Sequence, residues 1–258
     1  MKSRPLGTNG PLVSVIGFGA WPIGGGLGAV EKHAAIRTVR SALDAGITMV
    51  DTAEGYRGSE TILGEALSGG YREKSFLATK VSTNFSRKGI RAAMEKSLRA
   101  LRVDHVDLYQ IHNWDAAVPV EESMEEMARL LEEGKTRYIG VSNFGPDHME
   151  RALEVAPIQS NQVRYNMFFR DIEDGTIEYC EKHGIGIIVH SPLAKGLLTG
   201  AYTADSRFPP DDERSGFRDF SGPIFEMHLE KAQKMGQIAK HKGMSLVQLA
   251  IAWTLLRP

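Results

Sequence analysis

Short Val- and Ile-rich segments recur along the 258 residues at near-regular intervals, and each is followed by a segment whose apolar residues fall at helical spacing. The runs are Val15–Gly19, Ile47–Asp51, Ser75–Lys80, Val106–His112, Thr136–Ser142, Gln159–Gln162 and Gly186–His190, with starts 32, 28, 31, 30, 23 and 27 residues apart. A strand, a helix and two loops need about that much chain, so the sequence reads as seven βα units in a single domain covering residues 1–258. Strands joined by crossovers of this length run parallel and are covered on both faces.

The segments between the runs carry helix signals of their own. In Gly89–Arg102, residues Ile90, Met94, Leu98 and Leu101 share one face that would cover a sheet. Gly46, Gly134 and Gly184 stand where helices end, and Pro119 and Pro146 where helices begin. The opening PLGTNGPLVS holds an Asn-Gly pair, which predicts a hairpin outside the repeat, plugging one end of a barrel.

Composition narrows the class. Hydrophobic residues make up 42% and charged residues 24%, and 31 Lys+Arg balance 32 Asp+Glu, which describes a soluble globular protein with no charge-based reason to bind nucleic acid. The N-terminus lacks the apolar core of a signal peptide, and no stretch reaches the roughly 18 apolar residues of a membrane span. The single cysteine, Cys180, rules out an intrachain disulfide, reads as a buried helix residue and fits a reducing, cytoplasmic compartment. The eight histidines form no HExxH or other ligand-spaced cluster, so no metal is implied.

The two main parallel architectures are an open doubly wound sheet and a closed (β/α)8 barrel. A dinucleotide fingerprint beginning at Gly17-Phe18-Gly19 fails, because Pro22 occupies the third glycine position and Asp51 lies 32 residues beyond Gly19, where the motif needs about 20. In a barrel the chemistry gathers at the C-terminal ends of the strands. The residues there are Asp51 with Tyr56 in DTAEGY, Lys80, His112, Ser142-Asn143, Gln162 and His190-Ser191.

From GFGAW to the C-terminus the chain resembles the aldo-keto reductases, carrying DTAEGYRGSE, FLATK, DLYQIH, GKTRYIGVSNF and HSPLAKGLLTG in that family's order and approximate spacing. The resemblance implies a (β/α)8 TIM barrel that binds a nicotinamide cofactor without a Rossmann fold. It also implies that Asp51, Tyr56, Lys80 and His112 form the catalytic tetrad. NADPH (NADP+) is the implied cofactor, with NADH possible, and a small-molecule aldehyde or ketone the substrate. Ser142, Asn143 and Gln162 would then match the nicotinamide carboxamide. His190 stands where the family commonly places an aromatic ring. Ser191, Pro192, Leu193, Gly196 and Leu198 would lie along the pyrophosphate, with backbone N–H groups of the loop as donors. Arg207, Arg214 and Arg218 are candidates for phosphate contacts. Gly19, Ala20 and Trp21 would line the mouth, and Trp21 and Trp114 would wall a substrate pocket with Tyr56 and His112. The family continues to an eighth strand and helix where this sequence ends in LAIAWTLLRP. Seven staves alone leave unpaired edges, so a further tail is the expectation, and it is the segment on which the family's 2′-phosphate recognition depends.

The residue types fit this chemistry on their own terms. Carbonyl reduction needs a hydride and a proton for an oxygen on which negative charge develops. A tyrosine titrates near 10 in isolation, and an adjacent ammonium that favours the phenolate moves it towards the working range. Lys80 would supply that charge, Asp51 would keep it ionised, and His112 would orient the substrate oxygen or share in proton transfer. Two rival functions use the same residues. A Schiff-base aldolase would use Lys80 as nucleophile, and a regulatory partner subunit would bind cofactor with little turnover.

Overall fold

A computed structural model describes residues 1–256. The chain divides into two compact units, one made of residues 1–163 and 175–188, the other of 164–174 and the residues from 189 onward.

The chain opens with a hairpin of β1 (Ser3–Pro5) and β2 (Leu12–Ser14). It continues through β3 (Phe18–Gly19), α1 (Lys32–Asp44), β4 (Met49–Asp51), α2 (Ser59–Ala66), β5 (Phe76–Val81), α3 (Arg87–Leu101), β6 (Val106–Ile111), α4 (Val120–Glu132), β7 (Thr136–Ser142), α5 (Pro146–Leu153), β8 (Ser160–Arg164), α6 (Thr176–His183) and β9 (Gly186–His190). β3 to β9 form a seven-stranded sheet hydrogen-bonded in chain order. An order without reversal is that of the (β/α) barrel and not of a doubly wound sheet, which turns back at a switch point.

Strand alternation sorts the side chains into two cores. Leu77, Tyr109, Ile111, Ile139 and Val141 pack outward against helical residues such as Val39, Leu63, Met94 and Met127. Met49, Phe76, Ala78 and Leu108 face inward and pack with Leu6 and Val13 of the hairpin, which therefore stoppers this end as the sequence suggested. The hairpin loop is longer than a two-residue turn: Leu6 N–H donates to the Pro11 carbonyl at 2.9 Å, and Asn9 takes a left-handed φ of 57°.

Boundaries differ from the sequence reading where a side chain intervenes. Of Val15–Gly19 only Phe18–Gly19 is strand, because Val15 N–H extends the hairpin to the Lys2 carbonyl and the Ser14 hydroxyl takes the Thr48 and Met49 N–H groups. α3 begins before Gly89 because the Ser86 hydroxyl accepts the Gly89 N–H, and it ends at Leu101 because Arg102 turns left-handed at φ 58°. On its covered face Ile90, Met94 and Leu101 are buried.

In the second unit, short 3-10 turns precede α7 (Gly222–His241) and α8 (Leu246–Thr254). Ser245 and Gln248 close a reciprocal capping box at the start of α8. Leu197, Leu198, Phe220, Phe225 and Ala250 form its core, with Phe208 set edge-on to Tyr202 and Phe220 at 5.3 and 5.2 Å.

Candidate active site

Asp51 ends β4 and Lys80 lies one residue from the end of β5, and both point into the barrel above the layer of Met49, Ala78 and Leu108. The Lys80 side chain is 0% exposed and that of Asp51 14%. Lys80 Nζ donates to Asp51 Oδ1 at 2.5 Å, to the Thr52 carbonyl at 2.9 Å and to the Tyr56 hydroxyl at 3.4 Å, so all three ammonium donors have acceptors. A buried ammonium is tolerable only with such a complement.

Tyr56 is carried by the loop between β4 and α2. That loop is tied down at both ends. Glu54 Oε1 accepts the Ser82 N–H at 2.8 Å beyond β5, and the Tyr56 carbonyl accepts the Ser59 N–H at the start of α2. The Thr52 and Ser59 hydroxyls bond to each other at 2.8 Å, and Ser59 donates on to the Ala20 carbonyl. Gly24 packs against this loop so closely that a Cβ there would lie 2.2 Å from the Tyr56 carbonyl oxygen. His112 follows β6, its ring edge-on to Tyr56 with centroids 5.5 Å apart and its Nδ1 2.8 Å from Ser82 Oγ. The other tyrosine of this region, Tyr109, is buried outside the sheet with its hydroxyl on the Ile90 carbonyl, and burial drives its phenol well above the ordinary range.

The three residues assigned to a carboxamide have partners within the protein. Ser142 Oγ donates to the Gln162 carbonyl at 2.8 Å, and Asn143 Nδ2 bonds Asn113 Oδ1 at 3.0 Å and the His112 carbonyl at 3.3 Å. Gln162 Nε2 donates to Asp51 Oδ2 at 2.9 Å, beside Gln110 Nε2 at 3.2 Å. Ala20 is buried and its N–H donates to the Asp51 carbonyl, while Gly19 pairs with Asp51 in register. Trp21 lies against the Gly26 backbone, and the exposed Trp114 stacks on His148 with centroids 4.1 Å apart.

The second unit holds the remaining candidates. His190 Nδ1 is 3.2 Å from Ser191 Oγ, and Asn166 Nδ2 donates to the Ser191 carbonyl at 2.9 Å. Ser191, Ala194 and Lys195 all adopt left-handed backbone at φ 56°, 47° and 54°, an unusual run for residues other than glycine. The N–H groups of Gly196 and Leu198 both donate to the Leu193 carbonyl, and the side chain of Leu198 is buried. Beside this loop, which continues through Pro192, lies a cavity of about 30 Å³ bordered by Arg164, Asn166, Ser191, Lys195, Asp219 and Phe220. Burial lowers the Lys195 pKa from the usual lysine value, and its ammonium sits 4.1 Å over the Phe217 ring. Arg207 instead donates to the Ala204 and Ser206 carbonyls of its own loop, and Arg214 is engaged by Asp212 and the Tyr202 hydroxyl. Sequence reasoning passed over Glu54, Gln110, Asn166 and Lys195. None ends a strand, and only the inward alternation of β6 could have pointed to Gln110.

A sequence model described as the aldo/keto reductase family matches residues 15–258. The chain belongs to the aldo-keto reductase family. It is 37% identical over 272 residues to aldo-keto reductase YhdN of Bacillus subtilis, covering 100% of this chain and 82% of that protein. It is 33% identical to probable aldo-keto reductase 1 of Glycine max, covering 97% and 76%. Among solved structures, the glycerol dehydrogenase AKR11B4 from Gluconobacter oxydans superposes with a TM-score of 0.87 at 36% identity, covering 98% of this chain and 82% of that one. A thermostable aldo-keto reductase, Tm1743, solved with the inhibitor epalrestat, gives 0.81 at 29% identity, covering 100% and 86%. Membership makes this aldo-keto reductase an oxidoreductase of carbonyl compounds in a family that uses nicotinamide cofactors. Among its described residues no helix is long and apolar enough to cross a membrane.

Proposed function

We propose that this aldo-keto reductase catalyses NADPH-dependent reduction of aldehydes and ketones to alcohols in the cytoplasm, with Tyr56 as the proton donor. The observation that carries the reading is the fully buried Lys80 ammonium, 2.5 Å from Asp51 and 3.4 Å from the Tyr56 hydroxyl. When bound, a reduced nicotinamide supplies the hydride that no side chain can. The donor set suits such a group. In the first unit Gln162 and Asn143 offer amides suited to a carboxamide, and in the second Lys195 and Arg164 are cations suited to phosphate oxygens, with the Asp219 carboxylate beside them. With the Gly196 and Leu198 N–H groups engaged inside the loop, these side chains carry more of the phosphate recognition than the loop amides do.

Tyr56 gives its proton to the carbonyl oxygen as negative charge builds there, and the Lys80 ammonium stabilises the phenolate left behind. Asp51 supplies the countercharge for that ammonium in a site closed to solvent. With Nδ1 directed at Ser82 Oγ, His112 presents Nε2 as the nitrogen for the substrate oxygen and fixes the approach of the carbonyl. A lysine engaged by a carboxylate, a carbonyl and a phenol is a poor Schiff-base nucleophile, which speaks against aldolase chemistry. The relative of 36% identity described as a glycerol dehydrogenase supports glycerol as a substrate to try in the oxidative direction.

The test is NADPH consumption with an activated aromatic aldehyde, with NADH and the Tyr56→Phe protein alongside. Turnover that prefers NADPH and drops by about 100-fold or more in Tyr56→Phe, with cofactor binding intact, is the expected result for loss of a general acid. Undiminished turnover in Tyr56→Phe removes Tyr56 from the mechanism.

A further inference from the structure

Gln110, in the middle of DLYQIH, is fully buried and points into the barrel, while its neighbours Tyr109 and Ile111 pack outward. A buried primary amide needs partners, and those of Gln110 belong to the catalytic group. Its Nε2 is 3.2 Å from Asp51 Oδ2, and its Oε1 is 3.4 Å from Gln162 Nε2, which is itself 2.9 Å from the same Oδ2. A carboxylate oxygen only accepts, so both amides must present nitrogen to it, and the triangle has one consistent orientation. Asp51 is thereby divided: Oδ1 receives Lys80 and Oδ2 receives two amides. Space for this comes from Gly140, the register partner of Gln110 on β7, where a Cβ would lie 2.7 Å from Ser160 Oγ and 3.3 Å from Gln110 Cγ.

We propose that Gln110 is a positioning residue of the reductase, anchoring Asp51 Oδ2 so that Oδ1 meets Lys80 and the ammonium stays beneath the Tyr56 hydroxyl. The inference rests on the reading of Asp51, Lys80 and Tyr56 as the proton-donating group. Gln162 shares the task and is also the amide proposed for the carboxamide. Gln110 keeps Oδ2 bonded when Gln162 is engaged there.

The experiment compares kcat, KM and the pH profile of aldehyde reduction in wild type, Gln110→Leu, Gln110→Glu and Tyr56→Phe, with cofactor binding followed by protein fluorescence. Gln110→Leu, similar in volume but without a donor, should lower kcat by about 10- to 100-fold, taking as a guide the loss seen when the outer partner of a metal ligand is removed, with KM and cofactor binding unchanged. Gln110→Glu keeps the shape and donates only while its carboxyl is protonated, so its kcat should recover towards acid pH and fall as pH rises, a limb absent from Gln110→Leu. Wild-type kcat in Gln110→Leu beside an inactive Tyr56→Phe overturns the inference and leaves the tetrad standing. A Gln110→Glu profile parallel to that of Gln110→Leu also overturns it, and Gln110→Glu alone decides if the leucine variant does not fold. Full turnover in Tyr56→Phe, or none in wild type, overturns the tetrad reading and this inference with it.

Discussion

Replacing Asp51 by Asn tests the physical basis of the site through stability alone, without substrate or cofactor. The substitution preserves shape and removes the countercharge of an ammonium with no solvent exposure. The asparagine cannot satisfy its surroundings in either orientation. Its NH2 faces the Lys80 ammonium if turned one way and the two donating amides of Gln110 and Gln162 if turned the other. Breaking a buried pair on one side costs about 3–5 kcal/mol. Lys80 keeps the Thr52 carbonyl and the Tyr56 hydroxyl, which favours the lower half of that range. The expected loss at pH 7 is therefore about 3–4 kcal/mol, read from urea midpoints of wild type and variant at equal slope. No deficit at all would refute the claim that the buried Lys80 ammonium needs Asp51.

Two other buried groups give independent checks. Burial pushes the Glu60 carboxyl above the usual value of 4.5 despite the Thr79 hydroxyl 2.7 Å away, so folding binds a proton there. That contribution is complete below 4.5 and is lost as pH rises through the folded value. Glu60→Gln should therefore match wild type in Tm near pH 4 and exceed it above neutrality, and a lower Tm at pH 8 would refute the argument. Cys180 is fully buried, and its thiol is pushed up to about 11 by desolvation. Iodoacetamide at pH 8 should leave the folded protein unlabelled and modify one thiol after unfolding, whereas stoichiometric labelling of the native protein would contradict the burial.

The barrel was legible because strands buried on both faces read as uninterrupted apolar runs, and their spacing leaves little choice of connection. The clustering of Asp51, Tyr56, Lys80 and His112 was legible because these residues end strands or follow them closely, where polar residues stand out against Val and Ile. What escaped was the support around it. Glu54 looks like one more turn residue in DTAEGY, yet it ties the Tyr56 loop to Ser82 across 28 positions of sequence. Lys195 looks like a solvated loop residue in SPLAKGLLTG, and only the folded loop shows it half-buried over Phe217 beside a cavity. Contacts of this kind depend on which side chains meet across strands, and no local pattern encodes that.

The same alternation that hides Gln110 from motif reading also determines what β6 can be. Along Leu108-Tyr109-Gln110-Ile111, one face supplies Leu108 to the hairpin-capped interior and Gln110 to Asp51, and the other supplies Tyr109 and Ile111 to the helical shell. A slip of one residue would bury the Gln110 amide among apolar helix residues and set the Tyr109 ring against the carboxylate. That would leave an amide without partners, at about 1–3 kcal/mol, and the Asp51 oxygen without its donor. Core packing and the polar site therefore select the same register. Each restrains the other, so the amide beneath the carboxylate comes with the fold and needs no separate loop to position it.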